Sequence, residues 1–167
     1  MAKNTIKIVK YLDVQMERVA AGTITPGMLL EYTSASKVQA HSTAGGNCLP
    51  RAFALEDELQ GNGIDDNYSA DDQVACWITQ PGEQVYAILA DGENVSIGDA
   101  LESNGNGYLK KHVADVESFE SAEPGSITVY PEQIVGIALE AVDLSDSSGA
   151  ESSGTLGYNK RIEIMTV

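Results

Sequence analysis

The stretch Pro131-Glu132-Gln133-Ile134-Val135-Gly136-Ile137-Ala138-Leu139-Glu140-Ala141-Val142 decides the fold class, because it also has features of a helix. Pro131 and Glu132 resemble a helix start, and Ala138, Leu139 and Glu140 are good helix formers. Gly136, however, would weaken a helix interior, and Val135, Ile137, Leu139 and Ala141 recur with period two, which makes one face of a strand. Read as a strand, the segment leaves the chain without any long amphipathic helix. The expectation is therefore an all-β protein.

The rest of the chain carries the same pattern. Short apolar runs separated by Gly, Pro, Asn and Asp predict strands at Thr5–Leu12, Gly27–Tyr32, Lys37–His41, Cys48–Leu55, Val74–Thr79, Gln84–Leu89, Tyr108–Val113 and Arg161–Val167, with Val135–Val142 as a ninth. Nine strands in 167 residues suggest a barrel or a sandwich. Residues 1–12 are expected to be an N-terminal arm or an edge strand, and 13–167 a single β-domain. Exposed loops are expected near 60–72, with Gly61, Gly63 and four aspartates, and near 145–157, rich in Ser and Gly.

Composition narrows the function. Hydrophobic residues make up 43% and charged residues 21%, which suits a folded globular chain. The net charge of −15, from 25 acidic against 10 basic side chains, repels phosphate backbones and argues against nucleic acid as a partner. It also favours solubility at high local concentration. No apolar stretch approaches the roughly 18 residues that span a bilayer, and the N-terminus lacks the apolar run of a signal peptide. A cytosolic product without a membrane partner is expected. Cys48 and Cys76 read as small buried hydrophobes.

The residues that catalysis would need do not form a recognisable pattern. Two histidines and two cysteines lack zinc-site spacing, so no metal or other cofactor is implied. The string Asp65-Asp66-Asn67-Tyr68-Ser69-Ala70-Asp71-Asp72 lacks the central Gly and terminal Glu of a calcium loop and reads as a solvated acidic loop. A hydrolytic metal site on those aspartates is the weakest reading. No nucleophile elbow occurs, and His41 and His112 fit strand ends better than bases. Gly61–Gly63 and Gly105–Gly107 are too short for phosphate loops and read as hairpin turns. No catalytic residues are expected.

Two further features remain. Gly27, Leu30, Glu31 and His41 recur 71 positions on as Gly98, Leu101, Glu102 and His112, and Ala54-Leu55-Glu56 has a later counterpart in Ala138-Leu139-Glu140. This suggests a duplicated β-unit in which a Gly turn feeds a strand and a hairpin follows through Thr33–Ser36 or Asn104–Gly107. The second feature is a charge asymmetry. Lys3, Lys7 and Lys10 precede the first acidic residue, Asp13, and Thr5, Ile6, Ile8 and Val9 between them favour a strand. Such a segment suits addition to a sheet edge on a partner, and equally an ordinary first strand with protective lysines.

The strings Gly22-Thr23-Ile24-Thr25-Pro26-Gly27-Met28-Leu29-Leu30-Glu31, Phe53-Ala54-Leu55-Glu56-Asp57, Gly98-Asp99-Ala100-Leu101, Gly105-Asn106-Gly107, Ile134–Val142 and Arg161-Ile162-Glu163-Ile164, in this order, resemble the capsid decoration, or cement, proteins of tailed bacteriophages. The resemblance implies a compact β-barrel-like, tulip-type domain with an extended N-terminal arm, often assembled as a homotrimer. It implies a protein made in the host cytoplasm that sits on the outer surface of the expanded capsid. There it would bridge subunits of the major capsid protein and stabilise the shell, with Lys3, Thr5, Ile6, Lys7, Ile8, Val9 and Lys10 as the docking segment. The alternative is a carbohydrate-binding or adhesion module that stacks sugars on Trp77, Tyr68, Tyr86 or Tyr108.

Overall fold

The computed structural model describes residues 3–114, 130–147 and 160–167. Their strands, in chain order, are β1 (Lys7–Val9), β2 (Gln15–Ala20), β3 (Leu29–Tyr32), β4 (Lys37–Ala40), β5 (Ala52–Ala54), β6 (Gln73–Ile78) and β7 (Gln84–Ile88). The second half continues with β8 (Asn94–Val95), β9 (Ala100–Ser103), β10 (Leu109–Lys111), β11 (Ile134–Ala138), β12 (Val142–Asp143) and β13 (Arg161–Thr166). A single 3-10 turn, Glu58–Gln60, is the one helical element among the described residues. The protein is all-β and barrel-like, as its turn-punctuated apolar runs predict.

β2, β4, β3, β5 and β6 form a closed barrel in that order. A six-stranded sheet runs β1-β7-β13-β11-β9-β10, and β12 pairs with β8. Each of the nine predicted strands has a counterpart, generally shorter than predicted. Gln15–Ala20, Asn94–Val95 and Ala100–Ser103 are strands outside the predicted set. The decisive Pro131–Val142 segment is extended but broken: β11 ends at Ala138, and Val142 starts β12 in a different sheet. Its buried residues are Val135, Gly136 and Ala138, not the alternating face of Val135, Ile137, Leu139 and Ala141. The reason is a register shift against β9 between Ile134 and Gly136, which turns two consecutive residues inward.

The internal echo is a duplication of the whole barrel. In the first hairpin Leu30, Glu31 and Tyr32 lie opposite Ala40, Gln39 and Val38, and in the second Leu101, Glu102 and Ser103 lie opposite Lys111, Lys110 and Leu109. Every residue of the second set stands 71 positions after its counterpart (30 to 101, 40 to 111). β5 crosses β6 with Ala52, Phe53 and Ala54 opposite Ile78, Trp77 and Cys76, and β11 crosses β13 with Gly136, Ile137 and Ala138 opposite Thr166, Met165 and Ile164. Loop bonds repeat too: Gly27 N–H to Ala54 O at 2.8 Å becomes Gly98 N–H to Ala138 O at 2.9 Å. His41 N–H to Leu29 O at 2.9 Å becomes His112 N–H to Ala100 O at 2.8 Å.

β7, β9, β10, β11 and β13 thus take the places of β2, β3, β4, β5 and β6. The second ring closes through one parallel bridge, Leu89 to Leu109, where the first has the parallel β2–β4 pair. Ala20, Leu30, Val38, Ala54, Val74 and Cys76 fill the first barrel, and Leu89, Leu101, Leu109, Ala138, Ile162 and Ile164 fill the second. The two units also share a core. Leu29, Phe53 and Trp77, on the outer face of the first barrel, are fully buried in the cluster that contains the second barrel's interior. Burying side chains of this size contributes roughly 1.5–3 kcal/mol each, which makes the joint a main source of stability. Their counterparts Ala100, Ile137 and Met165 are only half-buried.

Candidate functional site

The N-terminal segment is held by the body of the protein at several points. β1 is the edge strand of the six-stranded sheet and lies antiparallel to β7, with Lys7 opposite Val85. Ile6 is fully buried; its carbonyl accepts from Tyr86 N–H at 2.9 Å, and its own N–H points at both oxygens of Glu56, at 3.3 and 3.2 Å. Downstream, one oxygen of Glu83 accepts the N–H groups of Tyr11 and Leu12 at 2.8 and 2.9 Å, and the other accepts Gln80 N–H at 2.7 Å. Glu83 is fully buried, and three backbone donors satisfy its carboxylate. Sequence reasoning missed Glu56 and Glu83, since one acid among 25 carries no local mark of burial.

All three lysines of the segment meet carboxylates within the chain. Lys3 bonds Glu163, lies 3.6 Å from Glu140 and sits 4.9 Å from the centre of the Tyr86 ring. Against partial desolvation, Glu163 and Glu140 push the Lys3 ammonium above its ordinary range. Lys10 bonds Asp13, and Lys7 reaches the same carboxylate at 3.3 Å. The hydrogen bond from Lys10 is the largest influence holding Asp13 below the usual carboxylate range. Thr5, Ile8 and Val9 are half-buried, and Lys10 is exposed. The basic segment ends in an apolar one, because Tyr11 is 72% exposed and Leu12 58%.

A buried polar contact between His41 and Ser103 joins the two units, and a part-buried group around Glu102 lies in the second. His41 Nε2 lies 2.9 Å from Asn47 O, a group that can only accept, so this nitrogen carries a proton and Nδ1 meets Ser103 Oγ at 2.9 Å. His112 Nδ1 lies 2.6 Å from Glu102, which also binds Lys110 at 3.1 Å. The Ser103–His41 distance would suit a nucleophile and its base. Ser103 is fully buried, however, and His41 is 2% exposed, so a substrate cannot reach the pair in this conformation. Both histidines directly follow β4 and β10, at the strand ends expected for them.

The acidic string is parcelled out among separate partners. Asp65 pairs with Arg161 at 2.8 Å, Asp66 accepts Gly63 N–H, Asp71 meets Lys37 at 3.1 Å and Asp72 accepts Ser69 N–H. Arg161, on β13, also donates to the carbonyls of Pro26 and Ile64 and so ties the second unit to the first. Among the described residues no group of His, Cys, Asp and Glu could hold a metal ion. Gly105 and Gly107 lie in the β9–β10 hairpin as expected, but Gly61 ends the 3-10 turn, and Gly61–Gly63 is no hairpin. The loop expected at 145–157 lies beyond the described residues from 148 on.

Of the aromatics suited to sugar stacking, Trp77 is fully buried and Tyr68 is 6% exposed, donating its hydroxyl to Leu55 O. Tyr86 carries Lys3 on its ring. Cys48 and Cys76 are free and buried, and burial pushes the Cys76 thiol up to about 12. No helix among the described residues is long and apolar enough to cross a membrane.

The fold is that of an all-β protein with a closed barrel and a second, similar ring closed by one bridge, against which the N-terminal strand is clamped. No protein family and no curated protein matches the sequence. Among solved structures the chain is similar to the head fiber gp8.5 N base of bacteriophage phi29, with a TM-score of 0.51 over 93% of this chain and 95% of that one. Sequence identity is 11%, so the likeness is one of fold.

Proposed function

We propose that the protein is a non-enzymatic structural component of a phage head, a decoration protein that binds the outer surface of the expanded capsid, bridges subunits of the major capsid protein and stabilises the shell. The observation that carries this reading is the likeness, nearly end to end, to a head fiber base. It agrees with the independent resemblance of the sequence to cement proteins. A ligand that prefers the expanded lattice shifts the lattice toward that state by mass action.

The N-terminal segment is the proposed docking element, with a division of labour among its residues. Ile6 is buried and holds the strand in place, while Lys10, Tyr11 and Leu12 are exposed and offer a cation beside aromatic and aliphatic surface. Tyr11 is of the residue type enriched at the core of protein interfaces, and a lysine such as Lys10 suits their polar rim. Assembly as a homotrimer is proposed as well. Its support is the outer face of the second unit: Ala100, Ile137 and Met165 remain half-open where Leu29, Phe53 and Trp77 of the first unit are covered. A heterologous contact on such a face closes into a ring when the rotation permits. Burial of Trp77 and Tyr68 disfavours the sugar-binding alternative. Co-sedimentation of purified protein with expanded and unexpanded heads tests the role. Binding to expanded heads, with greater resistance to heat, supports it; absence of binding refutes it.

A further inference from the structure

The duplication makes the two barrels comparable strand by strand, and one difference between them is an open backbone edge. In the second unit the outer side of β7 is covered along its length. Tyr86 N–H bonds the carbonyl of Ile6, just before β1, and Ile88 N–H bonds Gly27 O. Beyond β7, Ala90 N–H bonds Leu109 O. The equivalent strand β2 is covered only at its far end, where Val19 N–H bonds Ser36 O and Ala21 N–H bonds Val38 O. Ala20 N–H turns the other way, to Asp72 O. By strand alternation the backbone groups of Gln15 and Glu17 point to the same side as those of Val19, where β4 does not reach. The Glu17 carbonyl is met by the Arg18 guanidinium at 2.8 Å; among the described residues no strand lies along this edge.

The open edge borders a groove of about 620 Å³. Gln15 and Glu17 line it, together with Thr5 and Lys7 of the N-terminal segment. The backbone groups of Thr5 and Lys7 point away from β7, since Ile6 faces it. Leu55 and Ala75 lie in the groove, and Leu59 at its rim is 99% exposed. Glu17, Asp57 and Glu58 supply negative charge against a single lysine, Lys7, which already meets Asp13.

We propose that an extended, lysine-bearing segment of another protein adds here as a strand, antiparallel on the Gln15–Glu17 edge of β2, as β1 lies on β7. The paired unit shows which occupant the edge geometry takes, a short basic strand, and the carboxylates match its charge. The chain's own N-terminal strand cannot serve, because Ile6 is buried against β7 and Glu56 holds its N–H. The inference goes beyond the capsid reading and does not rest on it.

The test uses the full chain and a synthetic octapeptide of alternating lysine and valine, with a glutamate-for-lysine counterpart. Fluorescence anisotropy is expected to show binding of the lysine peptide only, at least tenfold weaker in the Glu17→Lys, Glu58→Lys double variant. Hydrogen exchange on the unmodified chain is expected to show new protection at the Gln15 and Glu17 amides when the peptide is added. Equal binding of both peptides, undiminished affinity in the double variant, or unchanged exchange at those two amides would each overturn the proposal.

Discussion

Cys76 sits inside the first barrel, fully buried, and burial is what raises its thiol to about 12 from an ordinary 9.0. The unfolded thiol ionises as pH passes 9 while the native one stays protonated, so this contribution to stability is present below pH 9 and is lost as pH rises toward 12. Thermal melts between pH 8 and 11 should therefore show a decline above pH 9 that is shallower in Cys76→Ala. An identical slope in the variant would refute the assignment. Gly136 is the other residue with a decisive local role. A Cβ there would lie 2.6 Å from the carbonyl oxygen of Met165 on the neighbouring strand, a backbone atom that cannot swing aside. Gly136→Ala should cost about 1–3 kcal/mol by overpacking, measured by denaturant unfolding; a neutral result would show that β11 and β13 can part.

At the scale of elements, the N-terminal strand is integral to the fold, because removing it strips more than one sheet edge. Deleting residues 2–12 removes Ile6 from the core and leaves the carboxylates of Glu56 and Glu83 without their Ile6, Tyr11 and Leu12 donors. Losing the burial of one Ile and desolvated partners of two acids should destabilise the protein by about 4 kcal/mol, with a fall in Tm of roughly 10 °C. Circular dichroism melts of the truncated chain check this. An unchanged Tm would mark the segment as a free arm. The strand and its lysines were legible in the sequence; the two acids that clamp it were not, because their meaning lies in backbone donors distant along the chain. β2 was obscured for a related reason. Gln15, Glu17 and Arg18 make it read as polar, since its outer edge is open and its side chains at Gln15 and Glu17 are exposed. β9 carries Glu102 and Ser103, both buried, which hides its period, yet the repeated Gly-Leu-Glu spacing pointed to a strand there. The register shift between Ile134 and Gly136 was not legible, because a bulge is set by the partner strand and not by residue type.

At the scale of the molecule, the repeat that four residues announced organises the described strands, and its two copies differ in what covers them. The first barrel buries its outer face against the second and leaves the β2 edge open; the second receives the N-terminal strand and leaves Ala100, Ile137 and Met165 half-open. Such a pair of unequal units presents distinct surfaces, which suits a protein that bridges neighbours on a lattice. The most direct measurement is a cryo-microscopy map of expanded heads incubated with the protein. Density for both units is expected on the outer surface, over the junctions between capsid subunits, with Lys10, Tyr11 and Leu12 at the contact. Heads without added density, or density attached with that segment facing solvent, would contradict it.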